Sequence, residues 1–466
     1  MANETLLDML SRSALQRSGT VAIADRETSL EWADLTRAIK RIALRLREEG
    51  IRPGDRVLID FDRSAFFAIA YFAVHAAGGV CVIQPSNSTT TRRELAEHAE
   101  TKAVLDLEEV SRLSGPGPER GFLPEVRPEH PADILYTTGT TSAPKGVVLT
   151  HSNIANAARN TCASVDQNQN DIELCTLSFT HSFGLGRLRA MACAGNTLII
   201  EPGMVGFAHT LEIAAQRQVS TLPLAPSGLA LLKRLNADSE LAVLGKSLRS
   251  VELLGEALAP EVRAWAVDRL PGVRLSHNYG LTEASRAASV DLSSEDARLG
   301  SSGRPAPNVT IESREGELWI HGPIVATGYW RDPELSAQTF VDGGVRTHDL
   351  GEVDAAGRLF LTGRASEIIN VGGIKIAPEE VEAAVAGHPD VLDVACTAIA
   401  DPQGITGERV AAFIVGSRDL DARELGCWLR ERGVDSVRVP AYVERVESLP
   451  RAASGKLLRR KLTRSK

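Results

Sequence analysis

Leu35, Ile39, Ile42 and Leu46 recur at helical spacing on one face, with Ser29 ahead of them and Gly50 behind, which predicts one long amphipathic helix. Pro53, Gly54 and Asp55 then turn the chain into a strand Val57 to Ile59, a helix Ala65 to Ala77 and a strand Val80 to Ile83. Arg92 to Ala99 reads as a helix and Ala103 to Leu107 as a strand. Such alternation implies parallel strands with crossover helices covering the sheet. Prolines 116, 118, 124, 128 and 131 mark a loop, after which the alternation resumes. It predicts a helix from Asn153, a strand near Glu173 to Leu177, a helix from Leu185, strand Thr197 to Ile200 and helix Ala208 to Gln216. Segment Thr221 to Leu224, helix Pro226 to Leu235, strand Ser250 to Leu254, helix Pro260 to Leu270 and strand Val273 to Leu275 follow. From Asn308 the pattern shifts to short strands with turn residues, as in GELWIHG and GRLFLTG, a smaller β lobe. Beyond Arg364 it is mixed, with a helix opened by Pro378 that places Val381, Ala384 and Val385 on one face. The fold class is therefore α/β: a large N-terminal lobe of mixed and parallel sheets, a small β lobe, and a small α+β C-terminal domain.

A chain of 466 residues is too long for one small core, and at about 150 residues per domain it predicts two or three lobes. A formal net charge of -8 argues against a nucleic-acid partner, and the basic run Arg459, Arg460, Lys461, Arg464 and Lys466 reads as a solvated tail. Six cysteines without a CxxC pair read as reduced thiols in the cytoplasm. The start MANETLLDML has no basic region ahead of its apolar residues, so no signal peptide is expected. Ala65 to Ile83 approaches the length of a membrane span, but His75, Gly78 and Gly79 interrupt it, and a buried helix followed by a strand accounts for it better.

The densest chemistry lies in Tyr136 to Gly146, YTTGTTSAPKG. Thr137, Thr138, Thr140 and Thr141 supply hydroxyls, Gly139 lets the backbone turn, and Lys145 supplies a cation, a donor set that suits a polyphosphate. Apolar runs on both sides would hold the loop between strands. Pro144 precedes the lysine and Gly146 follows it, where a Walker A loop needs glycine and then a hydroxyl, so this is not an ordinary P-loop. A polar turn between two strands is the alternative, less favoured reading of the loop by itself.

His277 to Ser285 reads HNYGLTEAS. The Tyr279 ring can stack on adenine, Thr282 can donate to a phosphate, and Glu283 offers the carboxylate oxygen that magnesium prefers. Taken alone, a Tyr, Thr and Glu on a turn are more often incidental. Asp349 can accept from both ribose hydroxyls, and Arg364 presents a rigid donor fork for phosphate or ribose oxygens. Each of these two, in isolation, reads as a hairpin residue in a surface ion pair.

In order along the chain, the threonine-rich loop, HNYGLTEAS, Asp349, Arg364 and the terminal LPRAASGKL with Lys456 resemble the adenylate-forming superfamily of acyl-CoA synthetases, peptide-synthetase adenylation domains and luciferases. The resemblance spans about Ser29 to Leu462. It implies ATP and Mg2+ as cofactors, with Thr137, Thr138, Gly139, Thr140, Thr141 and Lys145 on the phosphates and Gly255, Glu256 and Ala257 as the adenine floor. It places Asn278, Tyr279 and Gly280 beside the nucleotide and Asp349 and Arg364 around the ribose. Thr282 and Glu283 act on the α-phosphate and magnesium, and Lys456 acts as the catalytic cation. One position departs: the family usually has glycine where this chain has Ser142.

The same resemblance divides the chain into an adenylation domain 1-363, a hinge 364-367 centred on Ser366, and a mobile C-terminal domain 368-466. Amino-acid-activating relatives carry an aspartate after a phenylalanine, whereas here Thr180 follows Phe179, so a plain carboxylic acid is the expected substrate. FTHSFGLG is similar to acyl- and aryl-CoA ligases, in which His181, Phe183 and Gly184 would line the acid pocket; His181 also reads as a core histidine. Gly372 and Gly373 match the family loop beside the pantetheine thiol, implying coenzyme A or a carrier-protein phosphopantetheine as acceptor. A nitrogen acceptor, giving an amide or an activated nitrogen species, and a nucleotide-binding protein without turnover remain alternatives.

Overall fold

The computed structural model describes residues 4–84, 90–118, 120–137, 145–201, 207–235, 237–255, 258–401, 407–451 and 457–462. Two large sheets dominate. One has nine strands in the spatial order Arg304–Pro305, Ala284–Asp291, Arg274–Leu281, Ser250–Leu254, Thr221–Leu224, Ile172–Cys175, Thr197–Ile200, Val21–Ala24 and Ser29–Glu31. The other has six, in the order Gly328–Tyr329, Lys145–Thr150, Pro131–Thr137, Val80–Ile83, Arg56–Ile59 and Thr101–Leu105. The central strands of both are parallel, as the helix-strand alternation requires, and antiparallel hairpins complete their functional edges.

Helices Ala65–Ala76 and Ser182–Ala194 are buried almost all round. Polar atoms in so apolar a place need partners. Arg189 Nη2 donates to Asp133 Oδ2 at 2.5 Å and its Nε to Tyr71 Oη at 2.9 Å, while His75 Nε2 lies 2.9 Å from Asp133 Oδ1. This network ties one helix of each layer to the strand that leads into the threonine-rich loop. The Ala65 to Ile83 stretch is therefore helix and strand, and among the described residues no helix is long and apolar enough to cross a membrane.

A five-stranded sheet is built on Gly344–Val353, which pairs with Glu317–His321, Phe340–Val341 and Leu359–Arg364. The C-terminal part has the hairpin Ile369–Val371/Ile374–Ile376 and a three-stranded sheet of Val391–Ala400, Glu408–Gly416 and Tyr442–Arg445. Helices Pro378–Ala386 and Ala422–Glu431 pack with these around their own apolar core.

Several elements differ from the sequence expectation. Helix Leu6–Arg17, not anticipated, is opened by a capping box in which Asp8 N donates to Thr5 Oγ1 at 3.2 Å and Thr5 N to Asp8 Oδ2 at 2.8 Å. Ser29 lies in a short strand paired with Val21–Ala24, so the amphipathic helix starts at Trp32. The strand expected at Val273 to Leu275 runs on as Arg274–Leu281, pairing antiparallel with Ala284–Asp291 with a register shift between Tyr279 and Leu281, so most of HNYGLTEAS is strand and not turn.

Candidate nucleotide and acid site

Strands Pro131–Thr137 and Lys145–Thr150 pair antiparallel, with Thr137 opposite Lys145, so the chain holds both ends of the threonine-rich loop as expected. Thr138, Gly139, Thr140, Thr141 and Ser142 lie outside the described residues. So do Glu256, Ala257 and Lys456, whereas Gly255, at φ +111, ends the strand Ser250–Leu254 in a conformation that favours glycine.

Three residues from distant parts of the sequence meet. Tyr279 Oη donates to Asp349 Oδ2 at 2.7 Å, and Arg364 Nε donates to Asp349 Oδ1 at 2.6 Å. Asp349 and Arg364 face each other directly across antiparallel strands, and Asp349 is buried. Burial raises the Tyr279 hydroxyl well above its ordinary range, and Asp349 adds to this, so the phenol stays protonated and donates. Burial works against the Arg364 charge, but the Asp349 carboxylate outweighs it and holds the guanidinium above its usual value. The result is an aromatic face, a carboxylate and a fixed cation converging at one place.

Glu283 lies between the paired strands. Its Oε1 accepts from Tyr329 Oη at 2.8 Å, and the Lys145 ammonium lies 5.7 Å from the centre of the same tyrosine ring. Strand Gly328–Tyr329 brings Tyr329 there by pairing with Val147 and Val148, two and three residues after the loop lysine. Tyr329 was not singled out from sequence. Its aromatic neighbour Trp330 and the GY pair resemble ordinary strand residues, and only this pairing reveals the contact. Oε2 of Glu283 has no protein donor among the described residues, so the carboxylate fits a magnesium ion.

Asn278 is placed differently from its expected role. It is buried, and its Nδ2 donates to Glu252 Oε1 at 2.7 Å and to Ser164 Oγ at 3.2 Å, so its side chain belongs to the core beneath the strand. Gly280 is required by packing: a Cβ there would lie 2.6 Å from Arg286 N across the hairpin.

His181 occupies the N-cap position of helix Ser182–Ala194 without a side-chain capping hydrogen bond, and Phe183 and Gly184 occupy its first turn. The helix begins three residues before the expected Leu185 because the loop seats it: a Cβ on Gly184 would come 2.1 Å from Ser178 O. Burial lowers the His181 pKa, which Asp62 opposes and Arg63 reinforces, leaving a neutral imidazole whose buried Nε2 has no hydrogen-bond partner among the described residues. An orphaned polar atom in this position fits a ligand group better than a satisfied core histidine. Thr180 Oγ1 lies 2.7 Å from Ser178 Oγ, so the position that carries aspartate in amino-acid activators holds a paired hydroxyl.

Ser366 is exposed in a turn closed by Glu367 N donating to Arg364 O at 3.0 Å. Arg459, three residues beyond Lys456, pairs with Glu367 at 2.6 Å and with Glu382 and Glu379 at 2.8 and 3.0 Å. Gly372 and Gly373, at φ +60 and +91, form the exposed tip of a hairpin.

An adenylate-forming ligase is the class that this two-lobed α/β fold and these converging groups define. The chain belongs to the AMP-binding enzyme family: the profile of that family matches residues 10–330, and that of the AMP-binding enzyme C-terminal domain matches residues 380–456. It is 30% identical to a feruloyl-CoA synthase of Amycolatopsis sp, over 100% of this chain and 99% of that one. It is 29% identical to a probable CoA ligase of Humulus lupulus, over 97% and 91%. Among solved structures it superposes on the amide bond synthetase of Marinactinospora thermotolerans with a TM-score of 0.85 at 26% identity, covering 97% of this chain and 98% of that one. It shares the fold of o-succinylbenzoate CoA synthetase from Bacillus subtilis, with a TM-score of 0.85 at 24% identity, covering 100% and 99%.

Proposed function

We propose that this protein is an AMP-forming acid–CoA ligase that activates a small carboxylic acid with ATP and transfers the acyl group to the thiol of coenzyme A. The observation that carries this reading is the meeting of Tyr279, Asp349 and Arg364, an arrangement suited to the adenine and ribose of a nucleotide. The CoA ligases among its relatives, each matched over nearly its full length, support the thiol acceptor.

Thr137 and Lys145, with Thr138, Gly139, Thr140 and Thr141, would hold the β- and γ-phosphates, and Gly255 with Glu256 and Ala257 would underlie adenine. Asp349 would accept from the ribose hydroxyls, with Arg364 holding the carboxylate in place. Magnesium, when bound to Glu283, would neutralise phosphate charge, and Tyr329 orients that carboxylate. Attack of the substrate carboxylate on the α-phosphate brings two anions together, so Thr282 and Lys456 would stabilise the charge that develops. His181, Phe183 and Gly184 would line the acid site, with the Thr180 hydroxyl standing where amino-acid activators carry an aspartate.

Adenylate formation needs water excluded around the phosphates, whereas thioester formation needs an entrance for a long thiol arm. Residues 1-363 would form the adenylation domain, and 368-466 would turn about Ser366 within 364-367 to serve both steps, bringing Gly372 and Gly373 to the thiol. Six free cysteines fit a cytoplasmic setting. The test is acid-dependent exchange of labelled pyrophosphate into ATP over a panel of acids, followed by AMP release with coenzyme A, a pantetheine-loaded carrier protein or an amine. Exchange without thiol-dependent AMP release, but with amine-dependent release, would replace this reading by amide synthesis.

A further inference from the structure

Arg286 lies one residue beyond the HNYGLTEAS segment, is 2% exposed, and has φ +57, a backbone conformation uncommon outside glycine. Its Nη1 donates to Ser182 O at 3.1 Å and Ser285 Oγ at 3.0 Å, its Nη2 to Phe183 O at 3.1 Å, and its Nε to Glu252 Oε1 at 3.2 Å. The guanidinium carbon lies 5.2 Å from the centre of the Phe183 ring. One side chain thus clasps the two residues that open helix Ser182–Ala194. The helix leaves it room, because a Cβ on Gly186 would come 2.4 Å from Nη1.

The charges around it balance. Arg187 pairs with Glu173 at 2.6 Å and Glu252 at 2.7 Å, and Arg286 pairs with Glu252 at 3.2 Å, so two buried arginines face two buried glutamates. With its charge already matched, the fork has none left over for a second carboxylate on a substrate. It is a rigid, bulky group in a strained backbone, and strain of this kind persists where the surroundings over-determine it, commonly beside ligand sites.

We propose that Arg286 sets the depth of the acid site, closing it beside Phe183 and restricting the substrate to compact carboxylic acids with an uncharged far end. This rests on the reading of His181, Phe183 and Gly184 as the acid-lining residues. A purely structural tie between helix and hairpin would leave acid preference unchanged when Arg286 is replaced.

The test is pyrophosphate exchange over straight-chain acids from acetate to dodecanoate, with benzoate, 4-phenylbenzoate and the dicarboxylate of each short chain. Wild type is compared with Arg286→Ala combined with Glu252→Gln, which keeps the buried network neutral, and with Gly186→Ala, which crowds the fork. Wild type is expected to favour the short and single-ring monoacids. In the double variant the optimum moves to longer acids, each accommodated methylene being worth roughly tenfold in kcat/KM. In Gly186→Ala the longest acids are lost first. The KM for ATP is expected to move by less than about threefold in both. A uniform loss at an unchanged optimum in both variants, or a wild-type preference for a diacid over its monoacid, would overturn the proposal. Absence of exchange with every acid in wild type would instead overturn the ligase reading on which it rests.

Discussion

Arg364 Nε lies 2.6 Å from Asp349 Oδ1 across two directly paired strands, and the other oxygen of that carboxylate takes the Tyr279 hydroxyl. Fifteen residues of chain separate the ion pair, and seventy separate Asp349 from the tyrosine. Asp349→Asn removes the charge while keeping the shape. We expect the KM for ATP in pyrophosphate exchange to rise by about tenfold or more, the scale of losing a charge-assisted hydrogen bond worth ~1.5–3 kcal/mol. An unchanged KM would place the ribose elsewhere.

Tyr329→Phe removes the donor that orients Glu283 without changing the ring against which Lys145 rests. The magnesium concentration for half-maximal exchange is expected to rise roughly tenfold, the lower scale for losing a group that orients a metal ligand. Maximal activity should return at high magnesium. A fall in activity that magnesium does not restore would remove Tyr329 from this role.

Lys456→Ala is expected to lower adenylate formation by ~10²–10³ while leaving thioester formation from a synthetic acyl-adenylate largely intact, because the cation stabilises only the first transition state. An equal fall in both half-reactions would make the lysine structural.

Ser366→Pro would fix φ near −65° at the exposed turn and restrict Ala365 before it. Pyrophosphate exchange is expected to persist while thioester formation is largely lost. Equal, modest effects on both steps would show that Ser366 is a turn residue and nothing more.

His151 gives a pH test of the fold. It is buried, and desolvation, with the nearby His75 adding, lowers its pKa to about 3. The unfolded chain takes up a proton near pH 6.5 whereas the folded chain does not, so the unfolded state gains as the pH falls. Its contribution to stability is therefore full above about pH 6.5 and declines toward pH 3. Urea unfolding of His151→Gln should show a flatter acid limb than wild type. Identical slopes would assign the acid limb to other groups.

The order of elements was legible because apolar spacing reports local geometry: Val80–Ile83, Arg92–Ala99, Thr197–Ile200, Thr221–Leu224 and Ser250–Leu254 lie where periodicity puts them. The motifs were legible because their chemistry is local too, a run of hydroxyls before Lys145 or a tyrosine, threonine and glutamate within five residues. What sequence could not decide depends on pairing at long range. The strand through His277–Leu281 contains Asn278, Gly280 and polar neighbours that read as a turn, and it is held extended by its partners Ser250–Leu254 and Ala284–Asp291. Arg187, Arg286, Glu173 and Glu252 would each pass for surface charges. Folding buries them because partners 14, 34 and 65 residues apart arrive together, each satisfying a charge that could not be buried alone. Tyr329 reaches Glu283, 46 residues away, by the same logic. Composition and spacing determined the class of fold and the kinds of group available for chemistry; tertiary structure decided which of them meet, because a charge or hydroxyl acquires its role only from what stands within hydrogen-bond distance of it.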